Sequence, residues 1–181
     1  MKRLALIISL ALTGIMGACQ KGKSSDSKDD ATPRTNTPVA LQGNWMYGNF
    51  SMTEYWSQNP AEYIGNAFEL AMAFKFNADG TFEQYFTSRT LSGGVSTYHQ
   101  SLTKGTIVVD EVERTITTYA RSAHYKQTKN GVTIEDGELA ESEITKVSKY
   151  SYELKTEVNG MKAVYLRLNG EGNALAFQQK F

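Results

Sequence analysis

The stretch from Phe68 to Arg89 constrains the fold of this chain more than any other. Its first arm, FELAMAFKF, sets Phe68, Leu70, Met72, Phe74 and Phe76 at every second position, with Glu69, Ala71, Ala73 and Lys75 between them. Side chains alternate across a strand, so this period of two marks a strand with one buried face. Asp79-Gly80 supplies the turn, because glycine takes a positive φ without a Cβ clash. Thr81 to Arg89, rich in Thr, Phe and Tyr, is the return arm. This β-hairpin decides which side of the sheet faces inward, since a slip of one residue would expose every large side chain.

The rest of the chain repeats the pattern. Turn signals recur about every ten residues, at Ser92-Gly93-Gly94, Asp110-Glu111, Asn130-Gly131, Asp136-Gly137, Asn159-Gly160 and Asn169 to Asn173. Strands are expected from Leu41 to about Phe50, then over 95–103, 105–109, 115–127, 152–158, 161–168 and 174–181. Asn159-Gly160 reads as a type I′ hairpin turn. Residues 139–147 fit either a strand or, with Glu138, Glu141 and Glu143, a helix. All three prolines lie at or before Pro60, so nothing later removes a ladder donor. The expected architecture is all-β: an antiparallel up-and-down barrel of eight to ten strands, closed to abolish its edges, with a short helix or loop after the first strand.

The N-terminus reads as an address. Lys2 and Arg3 precede a mainly apolar run, Leu4 to Met16, too short to span a bilayer comfortably. Met16-Gly17-Ala18-Cys19 follows and resembles the lipobox of bacterial lipoproteins. The resemblance implies cleavage before Cys19, a diacylglyceryl group on its thiol and acylation of the new amine. The competing reading is an ordinary secretory signal. Gln20, in place of Asp, is what the resemblance associates with the outer membrane of a Gram-negative envelope. Asp26, Asp29 and Asp30, diluted by Lys23 and Lys28, fit a solvated tether or a signal for display at the cell surface. Cys19 is the only cysteine, which excludes an intramolecular disulfide. Residues 1–18 are thus expected to be a signal peptide, residues 19–38 a lipidated, disordered tether, and residues 39–181 the domain. The tether is built from Lys, Ser, Asp, Thr, Asn and Pro and has too little apolar surface to offset its ordering entropy. It would reach roughly 60 Å fully stretched.

Gly43-Asn44-Trp45 at the start of the domain resembles the Gly-x-Trp motif that opens the first strand of lipocalins and related calycin barrels. The resemblance implies that Trp45 packs at the closed end of the barrel, with Arg167 of a late strand as stacking partner. It also implies that the connection after the first strand, residues 51–67, folds over the open end. Tyr55, Trp56 and Tyr63 would then line the mouth, or simply cap the core. Within that connection Asn59, Pro60 and Glu62 suit the first turn of a short helix. In the strand at 115–127, Ile116, Thr118, Ala120 and Ser122 share one face, and Thr117, Tyr119, Arg121, Ala123 and Tyr125 the other. Tyr119, Arg121 and Tyr125 would offer donors to a ligand, or form a solvated face.

Several kinds of chemistry lack a signature. His99 and His124 fall in different strands without flanking cysteines or paired carboxylates, so no metal site is expected. No nucleophile elbow and no phosphate-cradling glycine loop occurs, and no catalytic residue or cofactor is implied. The formal net charge is zero, without the basic patch a nucleic-acid partner requires. The expectation is a non-enzymatic envelope protein, held to the membrane through Cys19, with a small, mostly apolar ligand in its barrel. The alternative is a solid barrel that contacts a protein or glycan through loops 51–67 or 128–137.

Overall fold

A computed structural model describes residues 32–49, 51–57 and 68–180. Nine strands run in chain order: β1 (Gly43–Tyr47), β2 (Phe68–Phe76), β3 (Thr81–Ser92), β4 (Val95–Asp110), β5 (Thr115–Lys129), β6 (Val132–Glu138), β7 (Val147–Thr156), β8 (Lys162–Leu168) and β9 (Leu175–Lys180). Every pairing is antiparallel, and β9 returns to pair with β1 while β4 pairs with β5. The sheet therefore closes in a ring of eight strands, and β6 hangs on β5 as a ninth, outside the ring. Among the described residues the only helical turns are two short 3-10 turns, Val39–Leu41 and Tyr55–Ser57, and no helix is long and apolar enough to cross a membrane.

The anchor hairpin forms as its alternation dictates. Phe76 pairs with Phe82 and Phe74 with Gln84, and Phe74, Phe76 and Phe82 point into the ring. Trp45, Phe74, Phe76, Phe82, Ile107 and Phe177 fill one end of the barrel completely. The 3-10 turn at 39–41 plugs this end with Leu41, whose carbonyl accepts the Trp45 indole N–H at 2.7 Å. The turns follow local chemistry. Asn130 and Gly131 both have positive φ, as do Gly93 and Gly94, which is the type I′ requirement. At Asn159-Gly160 only the glycine does. The Gly160 N–H donates to Glu157 O at 2.8 Å, so this hairpin uses a three-residue loop with a glycine bulge instead of the expected type I′ turn.

Two expectations change. The strands foreseen at 95–103 and 105–109 are one continuous strand, β4. The domain also begins before residue 39. Thr35 N–H donates to Ile107 O at 2.9 Å and Thr37 N–H to Ala78 O at 3.1 Å. Thr106 Oγ1 donates to Pro33 O at 2.9 Å, and Thr37 is buried. Residues 33–38 are thus held by the domain, by backbone pairing that needs no apolar side chain.

β5 organises the open end. Residues 115–119 pair with β7, and residues 124–129 pair with β6. Between them the β4–β5 register shifts, with Lys104 opposite Ser122 and Gly105 opposite Ala120. Arg121 is the extra residue of this bulge, and it inverts the facing of everything beyond it. Ile116, Thr118 and Ala120 point inward before the bulge, as does Ala123 after it, while Ser122 and His124 point outward.

Candidate functional site

The barrel is packed at one end and hollow at the other. A cavity of about 370 Å³ opens beyond Phe82. Phe82, Phe86, Ala120 and Ala123 supply apolar wall, and Gln84, Ser101, Thr103, Thr118, Ser148 and Tyr150 supply amide and hydroxyl groups. The Tyr150 phenol interacts with both Ser148 and Gln84. Burial pushes its pKa up, and these two hydrogen bonds pull against that rise without cancelling it. The phenol is therefore neutral at physiological pH and serves as donor or acceptor.

Residues 139–146, which the sequence left between strand and helix, are neither. They form an irregular strap across this cavity, to which Leu139, Glu143, Ile144 and Thr145 contribute lining. Both ends of the strap are tied to β5 on either side of the bulge. Leu139 N–H donates to Ala123 O at 2.7 Å, and Ala120 N–H donates to Lys146 O at 2.8 Å. Within the strap, Ala140 N–H donates to the Glu143 carboxylate at 3.0 Å, and Glu143 N–H returns to Ala140 O at 2.9 Å. The bulge thus releases β5 from β7 and presents the backbone groups that seat the cover.

The mouth-lining expectation is overturned for Tyr55 and Trp56. Both lie on the outer face of the barrel, where Tyr55 packs with Met46, Ala71, Ala73 and Tyr85. The Tyr55 hydroxyl accepts Ser101 N–H at 3.0 Å and shares its proton between Phe86 O at 2.5 Å and Ser101 O at 2.7 Å. Gln100 Nε2 donates to Tyr55 O, and Lys126 Nζ to Trp56 O at 2.9 Å. The physical reason lies in β2. Ala71 and Ala73 leave a shallow apolar seat on its outer side, and Met52, Tyr55 and Trp56 of the first connection pack on that seat. Tyr63 and the helix foreseen at Asn59 lie outside the described residues, as does Cys19.

The remaining candidates do not converge. Tyr119 faces outward before the bulge, and Arg121 sits in it. Tyr125 lies beyond it on the inward side, its hydroxyl 2.5 Å from His99 Nδ1. None of the three lines the cavity. Gly43 opens β1 at φ +106°, in the region glycine favours. Trp45 is fully buried at the packed end. Arg167 is exposed and out of phase with the inward Val164 and Leu166 of its own strand. It stands on the opposite face of the sheet from Trp45, so the two do not stack.

A cluster that sequence reasoning missed surrounds His124. Its Nε2 is 2.7 Å from Asp136 and its Nδ1 3.0 Å from Glu138, while the Trp56 indole meets its ring edge to face at 4.6 Å. The signal was Asn130-Gly131, because the turn there brings β6 back along β5 and sets Glu138 opposite His124. The carboxylates occupy opposite sides of the ring and cannot share one ion with it. Among the described residues no group of three or more such ligands is placed to hold a metal.

Burial of His124 lowers its pKa, but the hydrogen bonds and charges of Asp136 and Glu138 together outweigh this, and the net shift is upward. The sign follows by linkage: the cluster's stabilisation is complete below the unfolded pKa of about 6.5 and is lost as pH rises through the folded value. These groups are partly exposed, so the effect is about 1 kcal/mol or less. Urea unfolding of wild type and His124→Gln should differ most near pH 5 to 6 and converge by about pH 9. A difference that grew with pH would contradict this assignment.

Comparison with known proteins gives no match to a family model, a curated sequence or a solved structure.

Proposed function

We propose that this chain is a lipid-anchored protein of a Gram-negative cell envelope, held through Cys19, whose barrel binds one small molecule with an apolar body and a hydrogen-bonding end. The observation that carries this reading is the strapped cavity. Its volume of about 370 Å³ falls in the range of small-molecule sites, and an eight-stranded ring is wide enough for one such ligand. The apolar body would lie against Phe82 and Phe86, and its polar end against Gln84, Ser148 and Tyr150. That end makes the ligand more amphipathic than the mostly apolar one expected from sequence. The likeness to lipocalins is supported by Gly43 and by Trp45 at the packed end. The lipid anchor and the outer-membrane location rest on the lipobox resemblance.

Native mass spectrometry of the full chain, purified from bacterial cells and released from mild detergent, tests the ligand. The expected result is an added mass that disappears on denaturation and is lost in Ala120→Phe, which fills the cavity. A bare mass that persists after incubation with envelope extract would sink the reading. The alternative would then stand, a barrel that contacts a partner through its 128–137 hairpin. Val132 and Ile134, 67% and 53% exposed there, are the observation in its favour.

A further inference from the structure

On the outside of the barrel, away from the strapped cavity, the outward side chains of β4, β5 and β6 form a second cleft of about 450 Å³. Leu102 and His124 pair across β4 and β5, and Glu138 continues the row on β6. Lys104 and Ser122 form the next row. Trp56 is the wall, and its position is fixed from behind. Its carbonyl accepts from Lys126, and the preceding Tyr55 is bonded to Gln100, Phe86 and Ser101. The carboxylates of Asp136 and Glu138 are fixed as well, each with one oxygen on the imidazole.

The charges of this lining decide what fits it. Lys104 and the doubly bonded imidazole of His124 balance Asp136 and Glu138. An anionic ligand would meet two carboxylates, and a cationic one would meet an ammonium and an imidazolium. A neutral molecule rich in hydroxyls meets neither penalty, because each hydroxyl both donates and accepts. Hydrogen bonds to charged partners are also the stronger ones. The second oxygens of Asp136 and Glu138 and the Lys104 ammonium make no hydrogen bond among the described residues, so they are available to such a ligand. Trp56 and Leu102 add an apolar surface suited to the C–H face of a sugar ring.

We propose that this outer cleft is a carbohydrate-binding site for a neutral sugar. Trp56 and Leu102 take the face of the ring, Asp136 and Glu138 accept from its hydroxyls, and Lys104 and Ser122 donate to them. The site is independent of the barrel cavity. A free saccharide and the same unit within a polysaccharide present the same chemistry.

Tryptophan fluorescence of the full chain tests the proposal. Trp45 has no exposed surface, so a sugar-dependent change reports Trp56. Diacetylchitobiose, maltose and cellobiose are titrated to high millimolar concentration. The expected result is a saturable change with at least one of them, with Kd weakened about 5-fold or more in Lys104→Ala and in Asp136→Asn. Lys104 has no partner among the described residues, so its variant leaves the fold intact. Ala120→Phe, in the other cavity, should leave sugar binding unchanged. Cosedimentation with insoluble chitin, amylose or cellulose then separates the sources. Capture by the polymer identifies a site that reads chain-internal units, and binding of the disaccharide alone a site for free sugar; both support the proposal. No saturable change with any of the three sugars overturns it, and so does binding that neither cleft substitution alters.

Discussion

Replacing Gly105 by alanine should destabilise the barrel by about 3 kcal/mol or more. A Cβ at this position would lie 2.0 Å from the Tyr119 carbonyl oxygen and 3.0 Å from Ala120 Cα. Both obstacles are backbone, so neither can rotate away as a side chain would. The clash falls where β4 meets the bulge of β5, and relieving it means parting the two strands or undoing the register shift. Either response also disturbs the anchors of the strap, Ala120 and Ala123, so retention of the proposed barrel ligand should fall along with stability. For a domain of this size the midpoint of thermal unfolding should drop by roughly 6–12 °C. Gly137→Ala is the matched control, because nothing lies within 4 Å of its added carbon, and it should melt within about 2 °C of wild type. A Gly105→Ala protein as stable as that control would show the β4–β5 bulge to be wrongly described.

Trp45→Ala should cost about 3–5 kcal/mol in urea unfolding, the range for removing a fully buried large aromatic side chain. Trp45 packs among Phe74, Phe76 and Phe177 and has no exposed surface. Its loss leaves a void at the packed end, where rings on adjoining strands already touch and have little freedom to collapse inward. It also strands the Leu41 carbonyl that accepts the indole N–H, and a buried acceptor without a donor adds about 1 kcal/mol or more. Trp45→Phe separates the two contributions, since it keeps most of the volume and loses the hydrogen bond. Arg167→Ala should change stability by about 0.5 kcal/mol or less, because its side chain is on the solvent side. A cost for Arg167→Ala near that of Trp45→Ala would restore the stacked pair implied by the lipocalin resemblance.

The ring was legible in the sequence because its signals are local. Phe68 to Phe76 alternates strictly, and Asp79-Gly80, Gly93-Gly94 and Asn130-Gly131 are self-contained turns, so the antiparallel order from β1 to β6 follows from neighbours. The pairing of β5 with β7 does not, because the turn expected at Asp136-Gly137 lies within β6. The site was far less legible, for reasons that can be traced to particular residues. Ala71 and Ala73 read as a solvent face, yet Ala73 is fully buried; small residues look alike whether they meet water or seat a loop. Arg121 carries no mark of a bulge, so an unbroken alternation from Ile116 to Tyr125 placed Ser122 and Ala123 on the wrong sides. The strap has no period because the hydrogen bonds that fasten it to β5 are made only at its ends. Pro33 to Pro38 docks through backbone and threonine hydroxyls, which hydropathy patterns do not register. His124 appeared isolated because its partners arrive from a strand whose pairing shifts by one residue between Gln127 and Thr128.

The pairing of β1 with β9 also sets an order of events in time. β1 is made first and its second neighbour last, with nearly the whole domain between them. The β2–β3–β4–β5 meander can zip through short loops, but ring closure must bring distant segments together, the kind of contact that slows folding. Until β9 is in place, Asn44 to Met46 present an unpaired edge, and the β8 edge lies open as well. A chain released among many others is most exposed to mispairing with its neighbours during that interval. The last few residues of the sheet thus act as the latch of the whole ring.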